Sequence, residues 1–221
     1  MNLNIPYMET DNKLLNDAYR IAAGDIVGNI VYYQNGLLTE EKPCMIAGLD
    51  YNTPWTRDTA INIWNALSIL SPEVSKNTLL AVLEEEEGNI YIGGQYWDSI
   101  IWMIGAREYC RFHKDDNFYR LAFEAGRNSV HRLEEDEFDE EDGLFRGPAV
   151  YGDGIAAYPD KYSKCPNQGS GILEWVDYPG NPVYPKGYGI PMKALSTNCV
   201  YFKVYEILAE MAHALGEPAK E

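Results

Sequence analysis

Two segments of this chain are apolar on nearly every side of a helix, and they constrain everything else. RDTAINIWNALSIL (residues 57–70) and WDSIIWMIGAREYCRFH (97–113) carry no polar stripe wide enough to meet solvent. Such helices have to be covered by other elements. The other helical segments are amphipathic or capped. DNKLLNDAYRIAAGDIVGNIVYY (11–33) sets Leu14, Leu15, Ala18, Ile21 and Ala22 at helical spacing behind Asp11 as N-cap. PEVSKNTLLAVLEEEE (72–87) opens on Pro72, acceptable in a first turn. DDNFYRLAFEAGRNSVHRLEEDEF (115–138) is amphipathic. STNCVYFKVYEILAEMAHALG (196–216) has Ser196 as cap, a stripe of Tyr201, Tyr205, Leu208, Ala212 and Leu215, and Gly216 where a C′ glycine belongs. GNIYIGGQY (88–96) reads as a break, and the stretch from Asp142 to about Lys193 as a long irregular loop. These readings predict an all-α chain of about six helices in two layers, one ring inside another, as a single domain over residues 1–221, with pairwise packing into a bundle or solenoid as the alternative.

The formal net charge is −16, so nucleic acid and anionic membrane surfaces are excluded as partners. The acid is partly concentrated in EEDEFDEED (134–142), read as a solvated helix end and turn. Its spacing from Asp139 to Gly143 is not that of a calcium loop. Cys44, Cys110, Cys165 and Cys199, with His113, His131 and His213, make neither a metal pattern nor a disulfide framework, so no metal and no cofactor is expected. Free thiols suit a reducing compartment. MNLNIPYMETDN lacks the basic region and apolar core of a signal peptide, and no apolar run is long enough to span a bilayer, so a cytoplasmic location is expected. The 17 tyrosines and 5 tryptophans are the unusual part of the composition. Such rings suit the C–H face of a pyranose, and they equally suit a large aromatic core.

Arg57 and Asp58 sit at the mouth of the first apolar helix, where charge needs a reason. One reason is a capping aspartate with an arginine partner, favoured by the helix dipole. The other is a sugar clamp, in which a guanidinium donates and a carboxylate accepts at two neighbouring hydroxyls while Trp55 stacks on the ring. GGQYWDSIIW (93–102) repeats the pattern: Gln95, Trp97 and Asp98 stand where a glycine-rich loop enters the second apolar helix. Asp153 lies between two glycines among Tyr151, Ile155 and Tyr158, which would raise its pKa by desolvation as a general acid requires; an Asp-Gly turn is the alternative. Glu174 and Asp177, near Trp175, stand behind it as second-choice acids or sugar contacts.

The ordered set PWTRDTAINIW, QYWDSIIWMIGAREY, FDEEDGLFRGPAVYGDGIAAYPD and ALSTNCVYFKVYEILAEMAHALGE resembles the six-hairpin glycosidases, nearest to the glycoside hydrolase family 63 branch and its relatives among trehalases, glucoamylases and debranching glucosidases. The resemblance runs from about residue 10 to the end. It implies an (α/α)6 barrel and an inverting hydrolase of α-glucosides or related glycosides. It also implies that Arg57 and Asp58 bind the non-reducing sugar, that Trp97 and Asp98 form a second pocket wall, and that Asp153 is the general acid. Such a barrel has twelve helices and this chain supplies about six. The resemblance therefore implies the N-terminal half of a glycosidase, without its general base and inactive alone, with inner helices exposed for self-association. A non-catalytic carbohydrate-binding domain is the other expectation.

Overall fold

The computed structural model describes residues 5–48, 50–94, 96–150 and 192–217, Trp97 through its backbone. Helix α1 (Lys13–Gly28) leads into an antiparallel pair, β1 (Ile30–Tyr33) and β2 (Lys42–Met45). Helix α2 (Thr56–Asn62) continues through a π-helical turn (Ile63–Leu67) into α3 (Ser68–Leu70), followed by α4 (Pro72–Ala81). A hairpin of β3 (Leu83–Glu86) and β4 (Asn89–Ile92) comes next, then α5 (Trp97–Phe112) and α6 (Asp116–Glu137). A short hairpin, β5 (Phe138–Asp139) with β6 (Leu144–Phe145), precedes α7 (Leu195–Leu215).

The all-α expectation is therefore wrong. The described residues are mixed, with helices and three two-stranded antiparallel sheets, and they do not form an (α/α)6 toroid. The reason is local. Glu84 to Glu87 look like the end of a helix because glutamate is a good helix former. Glu87 (φ 51°) and Gly88 (φ 80°) instead form a two-residue loop with positive φ at both positions, the geometry that suits a tight hairpin. That loop turns LEEE back onto NIYI, with Glu84 opposite Tyr91 and Leu83 opposite Ile92. IVYY, appended to the first helix in the sequence reading, is likewise a strand. Two caps differ too. Asn12, not Asp11, caps α1 by accepting from the N–H groups of Leu14 and Leu15, and Ala194, not Ser196, precedes α7. Gly216 does take the left-handed conformation at the end of α7.

The contacts between helices fix their directions. Along α2 and α3, Thr56 meets Gly93, Ala60 meets Gly105, and the Ser68 carbonyl meets His113 Nε2 at 2.6 Å. Along α7, Thr197 bonds Pro148, which adjoins Gly147 beside Tyr96, and Glu210 pairs with Arg107 at 2.8 Å. So α2, α5 and α7 run parallel. Helix α4 runs the other way, as Trp102 Nε1 donates to Leu79 O (3.2 Å) and Lys76 pairs with Asp115 (2.6 Å). Helix α6 also runs back, with Phe118 against Tyr109 near its start and Ser129 accepting from Ile92 N near its end. One apolar core joins these elements, from Met45 through Ile63, Ile100 and Trp102 to Tyr201 and Met211. Burial is not complete on the apolar helices: Trp64 is 50% exposed and Ile69 59%. Helix α1 contributes no buried residue, so its Leu14 and Ile21 stripe faces outward. No described helix is long and apolar enough to cross a membrane.

Asn198 ties the start of α7 to β6. Its Oδ1 accepts from Phe145 N (2.8 Å) and its Nδ2 donates to Phe145 O (3.1 Å), replacing the backbone bonds a neighbouring strand would supply. Beside it Tyr201 stacks on Phe145 at 3.6 Å and 5°. Asn198→Ala leaves two backbone groups unmatched, and chemical denaturation should show a loss of about 2 kcal/mol. Alkali should act on other groups. Burial pushes the Cys44 and Cys110 thiols and the Tyr109 phenol up to about 12. An acid whose folded pKa is raised stays protonated in the fold while the unfolded chain ionises. Stability from the thiols is therefore full below about pH 9 and is lost as pH climbs toward 12; the tyrosine follows from about pH 10. Thermal melts between pH 7.5 and 10.5 should show Tm falling above pH 9, and a Cys110→Val chain should fall less.

Candidate functional site

The parallel helices α2, α5 and α7 begin at the same end of the molecule, and that end is where the sequence places its charged and aromatic candidates. Thr56, the first residue of α2, is buried and its Oγ1 donates to Gly93 O at 2.9 Å. Gly94 (φ 108°) lies under the start of α5. A methyl group there would stand 3.2 Å from Asp98 Cβ and 3.4 Å from Thr56 Oγ1. Only a residue without a side chain lets the two helix starts close up so far. On the other side, a methyl group at Gly147 would stand 3.2 Å from the ring of Tyr96, and Val150 N donates to Ser196 Oγ (3.1 Å) in the first turn of α7.

Among the described residues, the N-cap side chain of each of these helices makes no capping hydrogen bond. Helices α1, α4 and α6, in contrast, are capped by Asn12, Ser71 and Asp115. These three helix starts direct the positive ends of their dipoles toward one region.

Arg57 and Asp58 stand on this rim. Arg57 Nε lies 3.6 Å from Asp58 Oδ2, and the two side chains are 19% and 30% exposed. That distance is an ion pair, longer than a charge-assisted hydrogen bond. Trp55 is 49% exposed and meets the edge of Tyr51 at 6.0 Å and 75°. The pair forms a half-open aromatic shelf beside the charged pair. Asp98 is half-buried in the first turn of α5.

The structure thus brings Trp55, Arg57, Asp58 and Asp98 to one end, together with the backbone of Trp97. Gln95, Tyr151, Asp153, Glu174 and Asp177 lie outside the described residues, as does the Trp97 side chain.

The sequence reading did not single out Tyr51 or Tyr96. Tyr51 sits four residues before Trp55 in a loop, where no periodicity marks it. Tyr96 is buried and holds φ 48°, ψ −126°, a conformation that costs a non-glycine residue on the order of 1–3 kcal/mol. Backbone strain of this kind collects at functional sites, and its only trace in sequence is the GGQYWD loop itself. Tyr201, beneath this end, has its phenol pushed well above the ordinary value by burial and then by Glu137, Tyr205 and Tyr96 nearby.

No group of three or more metal-ligating side chains occurs among the described residues. Compared with known proteins, the chain matches no family model, no curated protein and no solved structure.

Proposed function

We propose that the chain takes up the non-reducing end of a glycoside at the shared start of α2, α5 and α7, as part of a glycoside hydrolase acting on an α-glucoside or related glycoside. The carrying observation is the half-buried Arg57–Asp58 pair beside the open Trp55–Tyr51 shelf, at an end where three parallel helices begin. A guanidinium and a carboxylate this close offer a donor and an acceptor to adjacent hydroxyls. The rings offer an apolar face to the sugar C–H bonds.

The resemblance to glycosidases supplies the chemistry of the proposal. In an inverting reaction a carboxylic acid, here Asp153, protonates the leaving oxygen while a carboxylate opposite activates water. Glu174 and Asp177 are the alternatives for the acid. The reducing cytoplasm is the proposed setting, in keeping with free thiols at Cys44, Cys110 and Cys199.

Calorimetry against glucose and glucose disaccharides tests the binding step. Saturable heat with Kd near 1 mM (about −4 kcal/mol) is expected. Arg57→Ala should weaken it by about tenfold or more, since a hydrogen bond to a charged group is worth about 1.5–3 kcal/mol. Undiminished binding by Arg57→Ala would remove the clamp.

A further inference from the structure

The open side of α2 does not end at the charged pair. Thr56, Thr59, Ala60, Ile63 and Leu67 are buried, whereas Arg57, Asp58, Ile61, Asn62, Trp64 and Asn65 are half-buried or exposed. From Arg57 the open side steps through Ile61 to Trp64, at i+4 and i+7, and from Asp58 through Asn62 to Asn65 at the same spacing. Trp64 therefore stands two helical turns beyond Arg57, about 10 Å along the axis, on the side that carries the clamp.

Inside the fold this indole has little to hold. It is half exposed, and among the described residues its side chain makes no hydrogen bond and no contact with another aromatic ring. Trp102, in contrast, is fully buried and donates to Leu79 O. The adjacent Asn65 is exposed as well. Its Nδ2 donates to Ile61 O at 2.8 Å, which anchors the amide and leaves Oδ1 to accept from a ligand. Both residues belong to the π-helical turn Ile63–Leu67, a distortion that occurs frequently at functional sites. A flat ring with a polar edge beside an anchored amide repeats the chemistry of Trp55 with Arg57 and Asp58: an apolar face for C–H bonds and hydrogen-bonding groups for hydroxyls. A docking helix would ask for an apolar stripe, and here the ring is flanked by the amides of Asn62 and Asn65.

We propose that Trp64 and Asn65 form a second sugar-binding site, continuous with the first along α2, so that the ligand is an α-linked glucose oligosaccharide and not a single ring. Arg57 and Asp58 hold its non-reducing residue, and a later residue stacks on Trp64. The proposal rests on the glycoside reading of the α2 start and adds to it the length of the ligand.

Calorimetry of the full chain with glucose and with maltotriose tests it. The parent should bind maltotriose at least tenfold tighter than glucose. Trp64→Ala should bind glucose as the parent does and lose that advantage, while Trp64→Tyr, which keeps a ring, should retain most of it. Arg57→Ala should weaken both sugars alike. Circular dichroism checks that each variant folds. Equal affinity of the parent for the two sugars, or a Trp64→Ala chain that keeps the advantage, overturns the proposal and leaves the glycoside reading standing. A folded Trp64→Ala chain that also loses glucose overturns it too, because the two places would then be one. A parent that binds neither sugar overturns the proposal and the glycoside reading together. Sedimentation showing a dimer that Trp64→Ala dissolves likewise overturns it, since the ring would then be covered by a second copy.

Discussion

Trp102→Ala should cost the fold about 3–5 kcal/mol, since Trp102 is the largest fully buried side chain among the described residues. Trp102 is fully buried in α5, at the centre of the contacts between α4, α5 and α6. Its ring packs on Phe118 at 6.2 Å, and its Nε1 donates to Leu79 O. Removing it opens a cavity and leaves a buried helical carbonyl short of a partner. Typical domains have about 5–15 kcal/mol in total, so the variant should unfold at far lower denaturant or fail to accumulate folded. Trp102→Phe separates the two contributions. It restores most of the volume and should recover all but about 1–2 kcal/mol, the part belonging to the indole N–H. A Trp102→Ala chain within about 1 kcal/mol of the parent would mean that the core between α4 and α6 is not packed as described.

Gly105→Val should be nearly as damaging, by the opposite mechanism. A side-chain carbon at Gly105 would stand 2.8 Å from Ala60 Cα and 2.9 Å from Ala60 O, with backbone on that side and no flexible side chain to give way. Glycine inside a helix is normally a weakness, and filling it gains up to about 1 kcal/mol. Here the clash should outweigh that gain and leave a net loss of about 3 kcal/mol, at the upper end of overpacking costs. Even Gly105→Ala should destabilise. Denaturation of the alanine variant gives the sign: a gain in stability would show that α2 and α5 are not in backbone contact. The same substitutions also bear on function. The Ala60–Gly105 contact holds the starts of both helices in register, so Arg57 should lose its position relative to Asp98 and sugar affinity should fall with stability.

Much of this arrangement can be read from residues alone, and the boundary is informative. Helices α5, α6 and α7 were legible within a residue or two, because long apolar runs end in strong stop signals such as Gly216. The strands were not. LEEE and NIYI are four residues each, and a run of glutamates continues a helical pattern without a mark; only the Glu87-Gly88 turn separates them. Helix α1 was legible as a helix, but an apolar stripe does not tell whether anything covers it.

At the site, the recurrence of an aromatic and an aspartate before each apolar helix pointed to the helix starts, and the starts of α2 and α5 do lie at one end. What that signal could not give was Tyr51 or the strained Tyr96. Both depend on how loops return to the frame, which no spacing encodes. Nor could it show that the candidate clamp has its two members 3.6 Å apart.

The π-helical turn at Ile63–Leu67 has a consequence for how α2 and α3 meet their neighbours. A residue added to a regular helix rotates everything beyond it by about 100°. The wider turn absorbs such an addition locally, so the stretch before it and the stretch after it keep separate phases. The first answers to α5 through Ala60 and Gly105, and the second to the end of α5 through Ser68 and His113. The rod works like two gears on one shaft, each meshed with its own partner. The upper gear, which carries Arg57 and Asp58, is thereby aimed by its own contacts and not by those at the far end.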